Sequence, residues 1–314
     1  MTALHLIGGF LLLLLGGEFL VRGSVGLALK LRVSRVVIGL TLVAFATSAP
    51  ELLISIVATL NGKSDIVLGN ILGSNIANVG LILGVTALLF KMRAVRLKYL
   101  RDWYFLIAAN LLLAVFLKLG GITQIQGLLF VIVLVFYNIQ KIRNARKQRA
   151  LKIEEEIIGY HMTLLKGVTL MVIGSLGLSF GAKVFVIGIS DVALQFGITE
   201  RFVAITMVAF GTSVPELVAS LVAARKGESD IAIGNIIGSN IFNILSVLGF
   251  TAIIKPIPLN DTALLTNDFP ASLLFTLLII PLMSVFTKDR LYRLEGALLL
   301  ILYLLFISSV VFEG

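Results

Sequence analysis

The chain contains no cysteine, only two histidines and a single tryptophan in 314 residues, and 14% of its residues are charged. The lack of cysteine excludes disulfides, thiolate metal sites and cysteine nucleophiles together. Acids are scarce as well, with 17 Asp and Glu against 26 Lys and Arg and a net charge of +9. Period-two alternation is missing, which argues against a membrane β-barrel. No basic segment followed by a cleavage site opens the sequence, so the first apolar run is expected to be a retained helix rather than a signal peptide.

What the sequence has in abundance is apolar length. Hydrophobic residues make up 58% of the chain and the mean hydropathy is +1.06, well above a soluble domain. Runs near the roughly 20 residues that cross a bilayer lie at 4–29, 36–60, 66–90, 103–117, 122–140, 164–194, 202–224, 231–254, 269–286 and 291–312. They predict an all-α polytopic membrane protein with ten transmembrane helices. With the N-terminus outside, twenty Lys and Arg fall in inside loops, and Lys63, Lys118, Arg201 and Lys255 fall outside. The positive-inside bias therefore selects an orientation with both termini outside, and the expected location is the cell (inner) membrane, as a multi-pass protein. The basic excess is a topology signal, and no nucleic-acid partner is expected.

Residues 41–86 align with 206–251 at a constant offset of 165, with 27 identities in 46 positions. AFATSAPEL (44–52) recurs as AFGTSVPEL (209–217), and GNILGSNIAN (69–78) recurs as GNIIGSNIFN (234–243). This is internal duplication. Each half is expected to hold five spans, an odd number, so the second copy enters the membrane from the opposite side. The expected organisation is a first five-helix repeat at 1–142, a charged cytoplasmic linker at 143–163, and a second, inverted five-helix repeat at 164–314. Inverted repeats with interrupted helices at matching positions are the pattern of secondary transporters, with the binding site near the midplane.

The repeated polar residues share one chemistry. Thr47 and Glu51 are four apart and stack on one helical face, with Ser48 about 100° round. Ser74 and Asn78 repeat that spacing, with Asn70 one turn back. The second set is Thr212, Ser213, Glu216, Ser239 and Asn243. All offer oxygen and none offers sulfur or imidazole, which suits hard cations: Ca²⁺ takes about 6–8 oxygens, carboxylates among them. Pro50 and Pro215 each remove an N–H and free a carbonyl about one turn earlier, near residues 44–46 and 209–211. An acid at mid-depth is costly and marks function. Asn75 and Asn240 point off these faces and are expected to bond between helices. Ser64–Asp65 and Ser229–Asp230 read as helix caps. Glu18 is expected to pair with Arg22 or with Lys183, and Tyr99, Trp103 and Tyr104 read as an interfacial belt.

GTSVPEL, its variant ATSAPEL, and the paired GN-x-x-GSN-x-x-N segments resemble the two α-repeats of the cation/Ca²⁺ exchanger superfamily, specifically its Na⁺/Ca²⁺ exchanger branch in compact prokaryotic form. The resemblance implies an antiporter, not an enzyme, with no cofactor and with Ca²⁺ and Na⁺ as transported ions. It implies Ca²⁺ held chiefly by Glu51 and Glu216 with the oxygens of Thr47 and Thr212. Na⁺ would be shared among Ser48, Ser213, Ser74, Ser239 and the carbonyls of Ala44 and Ala209, with Asn78 and Asn243 alongside. The position matching Asn243 is acidic in K⁺-dependent members, so the amides here imply K⁺-independent exchange. Ala46 departs from the family's usual glycine, which is kept at Gly211. The resemblance also implies that spans one and six slide past a fixed core. Two other readings stand beside this one, a proton-coupled antiporter of the same superfamily and a cation channel. Beyond the lipid bilayer, no protein partner is expected.

Overall fold

The computed structural model describes residues 1–149, 162–196, 200–283 and 289–313, without the side chains of 145–149, 200–210 and 311–313. Its helices are α1 (Thr2–Lys30), α2 (Arg35–Thr47), α3 (Ala49–Leu60), α4 (Ser64–Leu89), α5 (Arg96–Lys118) and α6 (Gln124–Arg149), then α7 (Leu164–Gln195), α8 (Glu200–Arg225), α9 (Ser229–Ile254), α10 (Leu264–Leu282) and α11 (Arg293–Glu313). Eight of them are long and apolar enough to cross a membrane, and the bent pair α2–α3 makes nine. The chain is thus a mostly helical, multi-pass membrane protein.

The run 36–60 is interrupted, as its proline implied: α2 and α3 meet at Ser48 with a bend of 42°. Pro50 lies in the first turn of α3, so its missing N–H leaves the hydrogen bonds within α3 intact. Its counterpart Pro215 sits inside a continuous α8, so the two halves are not interrupted alike. Helix α6 runs past 142 to Arg149, into the expected linker, because nothing in that stretch breaks a helix; 150–161 lies outside the described residues. Short strands, unforeseen in an all-α reading, also occur. β1 (Met92–Arg93) pairs antiparallel with β4 (Arg290–Leu291), and β2 (Gly121–Ile122) with β3 (Ile257–Pro258). Each ladder ties a loop of one half to a loop of the other.

Burial separates two classes of helix. Of the most apolar stretch of α9, 89% is buried, and of α4, 78%, against 17–39% for the other six spans. Helices α4 and α9, the third elements of the two repeats, therefore form the centre, and the other six spans carry exposed apolar residues, many of them leucine, on their outer faces. Helices α1 and α7 form the most extensive helix pair and run antiparallel: Gly9 faces Phe185, Gly16 faces Leu178, and Gly23 faces Met171. A Cβ at Gly174 would lie 2.4 Å from the Leu20 nitrogen, so this close approach of backbones admits only glycine. Helix α2 runs parallel to α9, with Gly39 against Gly234 and Ala44 against Gly238.

Several polar side chains bridge the halves rather than serving their own helix. Asp65 accepts hydrogen bonds from the backbone N–H groups of Asn260 and Asp261 at 3.1 and 3.3 Å. Asp230 accepts from Tyr99 Oη at 2.8 Å and Lys98 Nζ at 2.6 Å. No side chain caps α4 or α9, so these acids fasten a loop of the opposite repeat, and the capping reading is replaced. Tyr99 is buried and Trp103 Nε1 bonds the Thr276 carbonyl at 2.7 Å, which leaves Tyr104 alone at the surface of the expected belt. Glu18 pairs with Lys226, across helices, instead of with Arg22 or Lys183.

Candidate functional site

The bend at Ser48 turns the last residues of α2 and the first turn of α3 toward the centre, where α4, α8 and α9 meet. Thr47, Ser48, Glu51, Ser74, Asn78, Thr212, Ser213, Glu216, Ser239 and Asn243 are all buried, none more than 4% exposed. Gly238 permits the approach on one side: a Cβ there would meet both the Ala44 side chain and the Leu40 carbonyl at 2.7 Å.

The halves interlock. Thr47 Oγ1 donates to Asn235 Oδ1 at 3.1 Å and lies 3.4 Å from Ser239 Oγ. Ser48 Oγ donates to Glu216 Oε1 at 3.3 Å. In the other direction the Thr212 hydroxyl bonds Glu51. Asn70 Nδ2 donates to Ser55 Oγ and Asn235 Nδ2 to Ser220 Oγ, both at 3.2 Å, which is one contact made twice at the offset of 165.

The four central asparagines show the same two-fold exchange. Asn78 Nδ2 donates to Asn240 Oδ1 at 2.9 Å, and Asn243 Nδ2 donates to Asn75 Oδ1 at 3.0 Å. Asn240 Nδ2 also reaches the Asn75 carbonyl at 3.3 Å. Asn75 and Asn240 therefore bond between helices, as their facing implied. Each such bond uses the amide donor of Asn78 or Asn243 and leaves the oxygen free. Both oxygens are buried without a partner, as are Glu51 Oε2, Glu216 Oε2 and Asn70 Oδ1.

Orphaned acceptors of this kind each cost roughly 1–3 kcal/mol when buried, and more for charged groups. Five of them, carried on repeated residues and including one oxygen of each acid, are complementary to a cation and to little else. Ser74 Oγ, buried and without a partner, adds a further oxygen. Among the described residues no group of three His, Cys, Asp or Glu gathers anywhere, this site included; the acids here are Glu51 and Glu216.

The two carbonyls named from the sequence fare differently. The Ala44 carbonyl accepts the Ser48 N–H at 3.0 Å and the Thr47 hydroxyl at 3.4 Å, so it is held within its own helix here. The side-chain surroundings of Ala209 lie outside the described residues. Ser55, Ser220 and Asn235 were not singled out from the sequence, although all three recur in the aligned repeats; that recurrence was the signal that could have found them.

A family model described as sodium/calcium exchanger protein matches residues 1–142 and 166–312, both halves of the duplication. The chain is 34% identical over 342 residues to the sodium/calcium exchanger MaX1 of Methanosarcina acetivorans, covering 95% of this chain and 97% of that one. It is 33% identical over 290 residues to the inner membrane protein YrbG of Escherichia coli, covering 88% and 86%. A solved structure of the sodium-calcium exchanger NCX_Mj, soaked with zero Na⁺ and Ca²⁺, superposes with a TM-score of 0.83 at 28% identity over 98% of each chain. The match spans both oxygen-lined repeats and the spans around them, and on it the chain belongs to the sodium/calcium exchanger family, within the cation/Ca²⁺ exchanger superfamily.

Proposed function

We propose that the chain is a secondary antiporter that exchanges Na⁺ for Ca²⁺ by alternating access, without a requirement for K⁺. The observation that carries this reading is the pair of buried acids, one from each repeat, each with an unpartnered oxygen in a shell of neutral oxygen donors. One Ca²⁺ balances two ionised carboxylates; Na⁺ ions displace it by taking overlapping oxygens. Competition for one ligand set is what couples the two fluxes.

Glu51, Glu216, Thr47 and Thr212 are assigned to Ca²⁺, and Ser48, Ser213, Ser74, Ser239, Asn78 and Asn243 to Na⁺, with the carbonyls of Ala44 and Ala209. We read the bent pair as one span and add the 26-residue α8, which gives ten spans in two inverted repeats joined by the linker at 143–163. Antiparallel α1 and α7 and parallel α2 and α9 support the inversion, since a duplication in the same sense would reverse both relations. The glycine seam between α1 and α7 supports their sliding together past the site.

The test is Ca²⁺ uptake into liposomes with and without an outward Na⁺ gradient. Uptake that follows the Na⁺ gradient is expected. Uptake that follows a pH gradient instead would make the protein a proton-coupled antiporter, and passive flux under neither gradient would make it a channel.

A further inference from the structure

Because Pro50 has no N–H, the carbonyl four residues earlier, that of Ala46, loses its helical donor. In the structure a residue of a different helix fills that place: Ser175 Oγ, on α7, donates to the Ala46 carbonyl at 2.9 Å. Hydroxyls on membrane helices commonly turn back to the carbonyl four residues earlier on their own helix. Ser24 does so to Leu20 at 2.6 Å and Thr41 to Val37 at 2.7 Å. Ser175 instead crosses to the residue next to Thr47, at the bend that aims Thr47, Ser48 and Glu51 into the site.

The contact belongs to one half only. At the offset of 165, Ser175 corresponds to Phe10 of α1, which has no hydroxyl and is 51% exposed. Ala46 likewise replaces the glycine found at the matching position, Gly211. The duplication therefore does not account for the Ser175 bond.

Resting on the exchange reading, in which α7 moves against the helices of the site, we propose that Ser175 is a positioning residue. Its hydroxyl latches α7 to the carbonyl that Pro50 leaves open, and lets go each time α7 moves. Ser175 touches no site oxygen, so the latch acts on the motion rather than on ion binding. A bond present before the movement and absent at its barrier slows the passage, by a factor of about 2 to 10 for one neutral hydrogen bond.

The experiment compares wild type, Ser175→Ala and Ser175→Thr in liposomes, with Na⁺-driven Ca²⁺ flux measured at saturating ions and across a Ca²⁺ titration. Ser175→Ala is expected to raise the maximal flux per protein at least twofold, with the half-saturating Ca²⁺ concentration changed less than twofold. Ser175→Thr, which keeps the hydroxyl, is expected to stay at the wild-type rate. A gain in rate is a result that mere misfolding does not produce. Flux at or below wild type in Ser175→Ala overturns the latch, as does an equal gain in Ser175→Thr. If wild type moves no Ca²⁺ under a Na⁺ gradient, the exchange reading fails separately, and hydrogen exchange of the peptides covering 44–52 then decides on the contact itself. Faster exchange in Ser175→Ala alone supports it, and equal exchange in all three proteins overturns it.

Discussion

Ser48 Oγ lies 3.3 Å from Glu216 Oε1, so the helix bend of one repeat hydrogen-bonds the acid of the other. The two acids therefore share a single site, to which each brings an oxygen with no donor. Glu51→Gln or Glu216→Gln removes one of two formal charges while keeping size and a hydrogen-bonding amide. A charged contact is worth roughly 1.5–3 kcal/mol, about 10- to 100-fold in affinity. Each variant is expected to lower Ca²⁺ flux at least tenfold while eluting as a monodisperse protein in detergent. Exchange at the wild-type rate in both would remove the site from these residues.

Asn75 bonds between helices, and on the proposed reading it supports the site rather than binding ions. Its Oδ1 receives the Asn243 amide at 3.0 Å, which fixes which way that amide faces. Asn75→Ala leaves a buried donor unpaired, at a cost of roughly 1–3 kcal/mol. A lower melting temperature with Ca²⁺ affinity changed less than about threefold is expected. Unchanged melting with a selective loss of Na⁺ or Ca²⁺ binding would place Asn75 among the ligands instead.

Much of this was legible before any coordinates. The repeats carried the acids, the hydroxyls and the asparagine faces, because identical residues at one offset report a two-fold site directly. Helix positions followed from apolar run length, a strong signal in a chain that lipid forces to satisfy its backbone internally. What stayed hidden were contacts between residues without a sequence relation. Ser175 and Ala46 are 129 apart and lie on different helices, and nothing in either segment marks them as partners. Glu18 had Arg22 one turn away, yet the fold brings Lys226 nearer. The unequal behaviour of Pro50 and Pro215 was also hidden, since matching motifs imply matching geometry only where the surrounding packing matches too.

Asp102 is another contact of that kind. It is 1% exposed on α5, accepts Tyr137 Oη at 2.9 Å, and pairs with Lys141 of α6. Breaking a fully buried pair costs about 3–5 kcal/mol. Lys141 keeps 19% of its side-chain surface exposed, so about 2–3 kcal/mol is a better figure here. Asp102→Ala is expected to lower the melting temperature in detergent clearly, with ion affinities in the folded fraction unchanged. A wild-type melting curve would show that the α5–α6 pairing contributes little.

Orientation is testable because the chain has no cysteine of its own. Asn61, in the turn after α3, and Lys118, at the end of α5, are exposed at positions assigned to the outside, and Leu97, in the first turn of α5 and 72% exposed, at one assigned to the inside. Single cysteines at Asn61 and Lys118 are expected to react with a membrane-impermeant maleimide on intact cells, and one at Leu97 only after the membrane is opened. The reverse pattern would invert the topology, and labelling of all three from one side would refute the alternation of spans in the first half.

Potassium provides the finest discrimination. Asn78 and Asn243 hold the symmetric positions of the site, and each turns its amide donor to a neighbouring asparagine, which leaves one buried, unpartnered oxygen facing elsewhere. A carboxylate at either place would add a third negative charge and with it room for an additional monovalent ion. An amide offers only a carbonyl dipole. On the proposed reading, two formal charges balance one Ca²⁺ and leave no further counter-charge to recruit K⁺. Na⁺-driven Ca²⁺ flux in liposomes is therefore expected to persist when K⁺ is replaced by choline, and Asn243→Asp is expected to make the flux respond to K⁺. Exchange of more than two Na⁺ for each Ca²⁺ moves net charge, which a voltage-sensitive dye would register in the same vesicles. Flux that stops without K⁺ in the wild type would show that the amides do not exclude it. Flux that continues with no voltage signal would limit the exchange to two Na⁺ per Ca²⁺ or bring protons in as compensating ions.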